Sequence, residues 1–277
     1  MKWRQAAVLF LALGLSSLLG CQLPWGRFGG VPPVEPPVGL QFAFADAGAD
    51  PGFVRAHLDT PPGEETVYTR GSGGLASFCF HPGAPKLYFV SGEGNTLWRA
   101  DYINGIWYEE FPVYPHGEVI RCVRFVHDEP GQYPEDPTEE WHLFFSVASG
   151  ATEDGVIYRV VGRSVETYYT VDLDEVDGYW GGWFGFSPTG ELYLSSGNRT
   201  QAALYRVSAG GVEKVYQGSG SMAGFVFLSP TTLLFADWGQ RVYFLDLEAG
   251  ETALVYENTE LEQLSDVDLL PDWWAGD

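Results

Sequence analysis

The chain has 277 residues, of which 37 are acidic and 15 are basic, so its formal net charge at pH 7 is −22. Because phosphate binding needs clustered Lys and Arg side chains, this charge excludes nucleic acid as an expected partner. Aromatic residues make up 16% of the chain, beside 35 Gly and 18 Pro. That composition excludes disorder and favours many short strands joined by tight turns.

Residues 1–20 have the pattern of a secretory signal peptide. Lys2 and Arg4 precede an apolar stretch, Ala6–Leu15, that is too short for a comfortable membrane span. The residues Leu18-Leu19-Gly20-Cys21 that follow resemble the lipobox of bacterial lipoproteins. The resemblance implies cleavage before Cys21 and attachment of diacylglycerol to its sulfur. An ordinary signal peptide with an incidental cysteine is the alternative.

Residues 22–39, QLPWGRFGGVPPVEPPVG, contain Pro and Gly throughout and show no strand pattern. Such a segment is typical of an extended tether. We therefore predict a signal peptide over 1–20, a lipidated cysteine with its tether over 21–39, and a single domain over 40–277. The expected protein is a monomer on the outer side of a bacterial membrane, at the outer membrane or the cell surface.

Four segments of the domain repeat one pattern, in which a strand ending near Pro is followed by a turn, a strand, a Gly-rich loop and two further strands. The repeats begin at Gly74, Val119, Trp180 and Met222, and the second carries an acidic insert at residues 128–140. In the first, third and fourth repeats, an apolar residue stands two positions before Pro: Phe80 before Pro82, Phe186 before Pro188, and Leu228 before Pro230.

The two ends of the domain are each incomplete repeats. Leu269 stands two positions before Pro271, so residues 265–271 read as a first strand that lacks the other three. Residues 40–70 read as a second, third and fourth strand that lack the first. Together they complete one unit, which predicts an all-β fold: a β-propeller of five four-stranded blades closed by pairing of the chain's two ends. Six blades is the alternative.

The third repeat carries a resemblance to known propellers in FSPTGELYLSSGN and LYRVSAGG, residues 186–198 and 204–211. It is similar to the broad group that includes NHL repeats, gluconolactonase- and regucalcin-like lactonases, and quinoprotein sugar dehydrogenases. Regucalcin-like lactonases place Glu, Asn and Asp around a metal at one mouth of the central channel. Asn198 and Asp237 loosely resemble that set.

Oxygen-bearing side chains occur between the second and third strand of every blade. In a propeller these loops gather at one end of the channel, here called the mouth. Candidate ligand-binding residues in these loops are Asp46, Asn95, Asp154, Asn198 and Asp237, and Glu93 and Glu153 lie beside them. Carboxylates with amides suit Ca²⁺, so Asp46, Asn198 and Asp237 are candidate metal ligands. The alternative is that Asp and Asn are simply the residues that turns require.

Three further groups are candidates for the region of the channel. Trp180 belongs to the stretch Tyr179–Phe184, whose aromatic faces could hold a sugar ring or could fill the wedge between blades. Asp266 and Asp268 point to the same side of one strand, so they could share a proton, bind a cation, or face water in the channel. Cys79 and Cys122 fall on first strands of adjacent blades and are either a disulfide or two buried thiols.

The sequence contains no catalytic signature. It favours a membrane-anchored binding or scaffold propeller that recognises a protein or glycan through the loops at the mouth. The alternative function is a calcium-dependent, lactonase-like hydrolase.

Overall fold

The computed structural model describes residues 34–59, 62–70, 73–91, 94–108, 110–127, 141–148, 154–177, 179–198, 201–261 and 263–274. Their regular structure is almost entirely β, with one short 3-10 helix at Leu173–Val176. Within these ranges no helix is long and apolar enough to cross a membrane. The predicted signal peptide, Cys21, most of the tether and the 128–140 insert lie outside the described residues.

The strands are short, as the Gly- and Pro-rich composition predicts. In chain order they are β1 (Phe42–Asp46), β2 (Phe53–Asp59), β3 (Pro62–Thr69), β4 (Leu75–Phe80), β5 (Lys86–Ser91), β6 (Thr96–Ile103), β7 (Ile106–Trp107), β8 (Phe111–Pro115), β9 (Ile120–His127), β10 (Trp141–Val147), β11 (Gly155–Val161), β12 (Ser164–Val171), β13 (Phe184–Phe186), β14 (Leu192–Asn198), β15 (Gln201–Ser208), β16 (Gly211–Ser219), β17 (Phe225–Phe227), β18 (Thr232–Ala236), β19 (Arg241–Asp246), β20 (Glu251–Glu257) and β21 (Leu264–Leu269).

These strands form five antiparallel sheets, which are the five blades of a β-propeller. From the inner strand outward, the first blade is β4-β5-β6 with β7 and β8 both paired to β6, and the second is β9-β10-β11-β12. The third is β13-β14-β15-β16, the fourth is β17-β18-β19-β20, and the closing blade is β21-β1-β2-β3. The predicted fold class and the prediction of five blades are confirmed.

The inner strands contact one another in a closed ring. Strand β4 contacts β9 and β21, β13 contacts β9 and β17, and β17 contacts β21. This order places β21 between the fourth and first blades, although it follows every other described strand in the sequence.

The closing blade joins the two ends of the domain. Strand β21 pairs antiparallel with β1, with Leu269 opposite Phe42 and Val267 opposite Phe44. The predicted closure is therefore confirmed. It covers the inner edge of β1, which would otherwise be open to pairing with another chain.

Aromatic side chains account for the packing between blades. Each of the five junctions contains a pair of rings whose centroids lie within 5.4 Å: Tyr68 and Phe89, Tyr88 and Phe125, Phe144 and Phe186, Tyr193 and Phe227, Phe44 and Tyr256. Large rings fill the wedge that opens between neighbouring sheets as they fan out from the axis, and ring pairs stabilise beyond their buried area. The high aromatic content of the chain is therefore a requirement of the fold.

The segment after β21 packs on the first blade. Trp273 donates its indole N–H to the His81 carbonyl at 3.0 Å, and its ring lies 5.9 Å from the Phe80 ring. Trp274 packs against Tyr102 at 5.2 Å. Residues 264–274 therefore supply the inner strand of one blade and cover the side of the next.

Candidate functional site

Arg124 crosses the central channel. It projects from β9 in the second blade, and its Nη1 donates to the carbonyl oxygen of Phe78 in the first blade at 3.1 Å. Its Nη2 donates to the carbonyl of Phe225 in the fourth blade at 3.3 Å. The guanidinium also forms a bidentate ion pair with Asp266 of the closing blade, in which Nη1 lies 2.8 Å from Oδ2 and Nη2 lies 2.5 Å from Oδ1. One side chain thus connects inner strands of four blades, and we call the Arg124–Asp266 pair the channel plug.

Asp266 is fully buried, with 0% of its surface exposed. Its carboxylate also accepts hydrogen bonds from the Ser77 hydroxyl at 2.6 Å and from the backbone N–H of Phe78 at 3.1 Å. A Cβ at Gly224 would lie 1.7 Å from Asp266 Oδ1, so only glycine leaves room for the carboxylate there. The expectation that Asp266 faces channel water is wrong, because an arginine distant in the sequence takes both carboxylate oxygens.

The positive charge of the buried Arg124 is stabilised by the adjacent Asp266. Burial opposes the charge on Arg124, but the adjacent Asp266 carboxylate outweighs it and raises the pKa of Arg124. A buried ion pair of this kind needs further hydrogen bonds to offset its desolvation, and the backbone carbonyls and Ser77 supply them.

Asp268 lies beyond the plug, on the side away from the mouth. It accepts backbone N–H bonds from Phe80 and Leu269, both at 2.9 Å. Burial raises the pKa of Asp268 to about 6, although Arg124 and the Phe80 N–H act to lower it. A small cavity of about 90 Å³ is lined there by Asp268, Arg124 and Cys79, among others.

The mouth side of the plug opens into a larger pocket of about 330 Å³, within the range of roughly 300–1,000 Å³ that is usual for small-ligand sites. We call it the mouth pocket. Its lining residues are Ala47, Ala76, Arg121, Ala148, Tyr179, Trp180, Gly181, Trp183, Trp238, Gln263 and Ser265. Four of these residues are aromatic, namely Tyr179, Trp180, Trp183 and Trp238, and Arg121 is the charged one.

Trp183 has an unsatisfied donor close to Gly181 in the wall of the mouth pocket. Its side chain is 3% exposed, yet its Nε1 has no hydrogen-bond partner in the described part of the chain. A Cβ at Gly181 would lie 3.7 Å from that nitrogen and 3.7 Å from the Tyr179 hydroxyl. Trp183 Nε1 and the Tyr179 hydroxyl therefore both lie next to the space that a side chain at position 181 would occupy. The ring is fixed by Trp238, 5.8 Å away in a T-shaped arrangement.

Arg121 supplies the charge of the mouth pocket. It precedes the buried part of β9, and its Cβ and Cγ lie against Gly182, where a Cβ would approach them to 2.4 and 2.6 Å. Gly182 also has a φ of +93°, which L side chains rarely adopt. Glycine is required there for both reasons, and it allows the stem of Arg121 to lie along the pocket wall.

The acidic residues predicted for the mouth lie in loops there, but their carboxylates serve the loops themselves. Asp46 accepts from the N–H groups of Gly48 at 2.9 Å and Gln263 at 3.1 Å. Asp237 accepts from the N–H groups of Gly239 at 2.9 Å and Arg241 at 3.1 Å. Asp and Asn side chains bond in this way to backbone two residues on in tight turns.

The other predicted residues are spread around the rim. Asn95 and Asp154 are exposed, and Asp154 accepts from the Leu173 N–H at 3.4 Å. Asn198 ends β14, and its side chain lies outside the description, as do Glu93 and Glu153. Among the five candidates whose side chains are described, Trp180 alone lines the mouth pocket. It is 1% exposed and donates to the Trp183 carbonyl at 2.9 Å, and a Cβ at Gly155 would lie 2.1 Å from its ring.

The described ranges contain no group of three or more His, Cys, Asp or Glu side chains that could hold a metal ion. Calcium binding by Asp46, Asn198 and Asp237 stays a prediction.

Cys79 and Cys122 are both buried and free. Of the two possibilities that the sequence left open, a disulfide and two buried thiols, the structure shows the thiols. Burial raises the pKa of both thiols.

The sequence reasoning missed Arg121 and Gln263 as residues of the mouth pocket. Gln263 comes just before the closing strand, and Arg121 stands at the start of β9. The position of each at the mouth end of an inner strand is a signal available from the repeat alignment. Tyr179, Trp183 and Trp238 were visible as aromatic residues near the mouth, but their shared pocket was not.

The sequence matches no protein-family model and no curated protein. Among solved structures, the chain is similar to a nidogen/laminin complex, with 13% identity, a TM-score of 0.49, and coverage of 83% of this chain and 80% of that one. It is also similar to a 6-phosphogluconolactonase-like protein from Bacteroides fragilis, with 10% identity, a TM-score of 0.44, and coverage of 85% and 100%. At these values the similarities carry no functional argument, and the assignment as a five-bladed propeller rests on its own sheets.

Proposed function

We propose that the chain is a membrane-anchored, extracytoplasmic binding propeller that holds a glycan in the mouth pocket. The lipobox-like Leu18–Cys21 and the Pro- and Gly-rich segment after it support the anchor and the location. The pocket supports the binding role.

The observation that carries the binding role is the donor of Trp183. A buried N–H without a partner costs free energy on the order of 1–3 kcal/mol, and this one lies next to Gly181, which lines the mouth pocket with Trp183 itself. A ligand that brings an acceptor removes that cost. Sugars combine such acceptors with an apolar ring face that suits Trp and Tyr side chains.

The same geometry favours binding over hydrolysis. Glycoside cleavage commonly needs two carboxyl groups on either side of the scissile bond, and no Asp or Glu side chain of the described residues lines the mouth pocket. Asp266, the nearest acid along β21, is held by Arg124. A lactonase-type activity stays a prediction from the sequence that no contact in the pocket favours.

A glycan array probed with the full-length protein tests the proposal. Gly181→Ala places a methyl group beside Trp183 Nε1 and the Tyr179 hydroxyl, 3.4 Å or more from any neighbouring atom, so it should abolish glycan binding without lowering the melting temperature. Gly210→Ala is the control, since its Cβ would meet only the Ser208 hydroxyl at 3.6 Å. Binding that survives Gly181→Ala would show that the ligand is not held in the mouth pocket. An array without any bound glycan would leave a protein as the ligand and contradict the proposal.

A further inference from the structure

We infer that the glycan held in the mouth pocket carries a carboxylate, as a hexuronic acid does. The inference rests on the proposed binding function and names the class of sugar that the pocket selects.

Arg121 has no ion pair in a strongly acidic protein. The Lys and Arg side chains at positions 55, 70, 99, 124, 159, 206, 214 and 241 each pair with an acid. Within the described ranges, Lys86, Arg121 and Arg163 do not. Of these three, Arg121 alone lines the mouth pocket, and none of the described residues in its wall is acidic. The pocket is therefore locally cationic on a chain whose net charge is −22.

Arg121 and Trp183 contribute hydrogen-bond donors to the pocket wall. An indole N–H and a guanidinium can donate hydrogen bonds but cannot accept them. The single proton of the Ser265 hydroxyl is directed at the carbonyls of Ala45 and Leu75, which lie 3.3 and 3.1 Å away. A ligand must bring acceptors to satisfy Arg121 and Trp183, and a carboxylate accepts two parallel bonds from a guanidinium.

The rest of the pocket fits a ring rather than an extended chain. Trp183 and Trp238 form one corner at a ring separation of 5.8 Å, with an angle of 67° between their planes. Tyr179, which is 40% exposed, stands at the rim. The volume of the pocket, about 330 Å³, suits a small ligand or the end of a longer one. A single sugar ring could pack against the indoles of Trp183 and Trp238 while its carboxylate binds the Arg121 guanidinium.

Isothermal titration of the full-length protein with the methyl glycosides of glucuronic acid and glucose tests the inference. The two ligands differ only in a carboxylate against a hydroxymethyl group. We expect the glucuronide to bind about ten- to a hundred-fold more tightly, the range that charge-assisted hydrogen bonds provide. Arg121→Gln should remove that preference. Arg163→Gln, which changes an exposed and equally unpaired arginine in a turn of the second blade, should leave it unchanged.

The outcomes separate this inference from the proposed function. If both glycosides bind equally and Arg121→Gln has no effect, while Gly181→Ala abolishes binding, the glycan-binding function stands and the carboxylate preference is wrong. If glucose 6-phosphate binds as tightly as the glucuronide, the pocket selects anions in general, and the inference is also wrong. If no glycan binds in a Gly181-dependent manner, both proposals fail.

Discussion

The channel plug offers the sharpest test of how this fold is stabilised. Arg124→Met removes the guanidinium and its bonds to the Phe78 and Phe225 carbonyls, and it leaves the fully buried Asp266 carboxylate with neutral donors only. Breaking a buried ion pair by removing one partner costs about 3–5 kcal/mol. This is a large share of the roughly 5–15 kcal/mol that stabilises a typical domain. Asp266→Asn should cost a similar amount, because it leaves a buried guanidinium without its counter-charge.

The double variant Arg124→Met/Asp266→Asn separates the pair from the loss of packing. It contains no uncompensated charge, so it should be more stable than the sum of the single changes predicts, by about 2 kcal/mol or more. Urea unfolding measured by tryptophan fluorescence gives the midpoint and slope for each protein. If a single variant does not fold, recovery of folding in the double variant still measures the coupling.

Arg206→Met is the control for this experiment. Arg206 pairs with Glu213 on an exposed strand pair of the third blade, with side chains 39% and 63% exposed, and surface pairs contribute little to stability. Its midpoint should stay close to that of the wild type. Additive effects of the two plug substitutions, or single variants as stable as Arg206→Met, would refute the view that the buried pair holds the inner strands together.

Three other predictions concern different parts of the chain. Deletion of residues 265–277 should prevent stable folding, because it removes β21 and Trp273; a soluble truncated protein that melts cooperatively at the full-length temperature would contradict the role of the closure. Asp268 should contribute stability that is present at low pH and is lost as pH rises from about 4 through about 6, because its pKa in the folded protein, about 6, exceeds the usual 3.8. Asp268→Asn should remove this contribution, at most about 3 kcal/mol, and identical pH profiles of melting temperature would show that it does not exist. Cys21 should carry diacylglycerol, and mass spectrometry of the N-terminus from membranes that finds an unmodified Cys21 would end that claim.

The repeat pattern was sufficient to predict the blades and their closure. The inner strands of the first, third and fourth blades are recognisable from an apolar residue two positions before Pro, and the same relation between Leu269 and Pro271 identified β21. Alternation of apolar residues within short strands is local information, which a single sequence shows directly. Pairing of β21 with β1 then followed from counting which blade lacked which strand.

The plug and the pocket could not be predicted in the same way. Arg124 and Asp266 are 142 residues apart, and neither stands in a motif, so their pairing depends on the radius of the closed ring. The equivalence of FADAG and FADWG was visible in the sequence and was read as a shared metal site. In the structure both segments form the same turn, in which Asp46 and Asp237 accept from the glycine N–H two residues on at the same distance, 2.9 Å; the shared metal site stays a prediction.

Closure by β21 also has a consequence for the order in which the molecule folds. Ser265 and Ala45, which are hydrogen-bonded in the closing blade, are 220 residues apart, and β21 is synthesised after every other described strand. Blades one to four can form from neighbouring hairpins as they are synthesised, whereas β1 must wait with its inner edge open. Contacts so distant along the chain slow folding, and partly folded chains with open strand edges are prone to aggregate. The closing blade, whose strands β1 to β3 are synthesised first, is therefore the last to be completed, and until then the inner edge of β1 stays open to pairing with other chains.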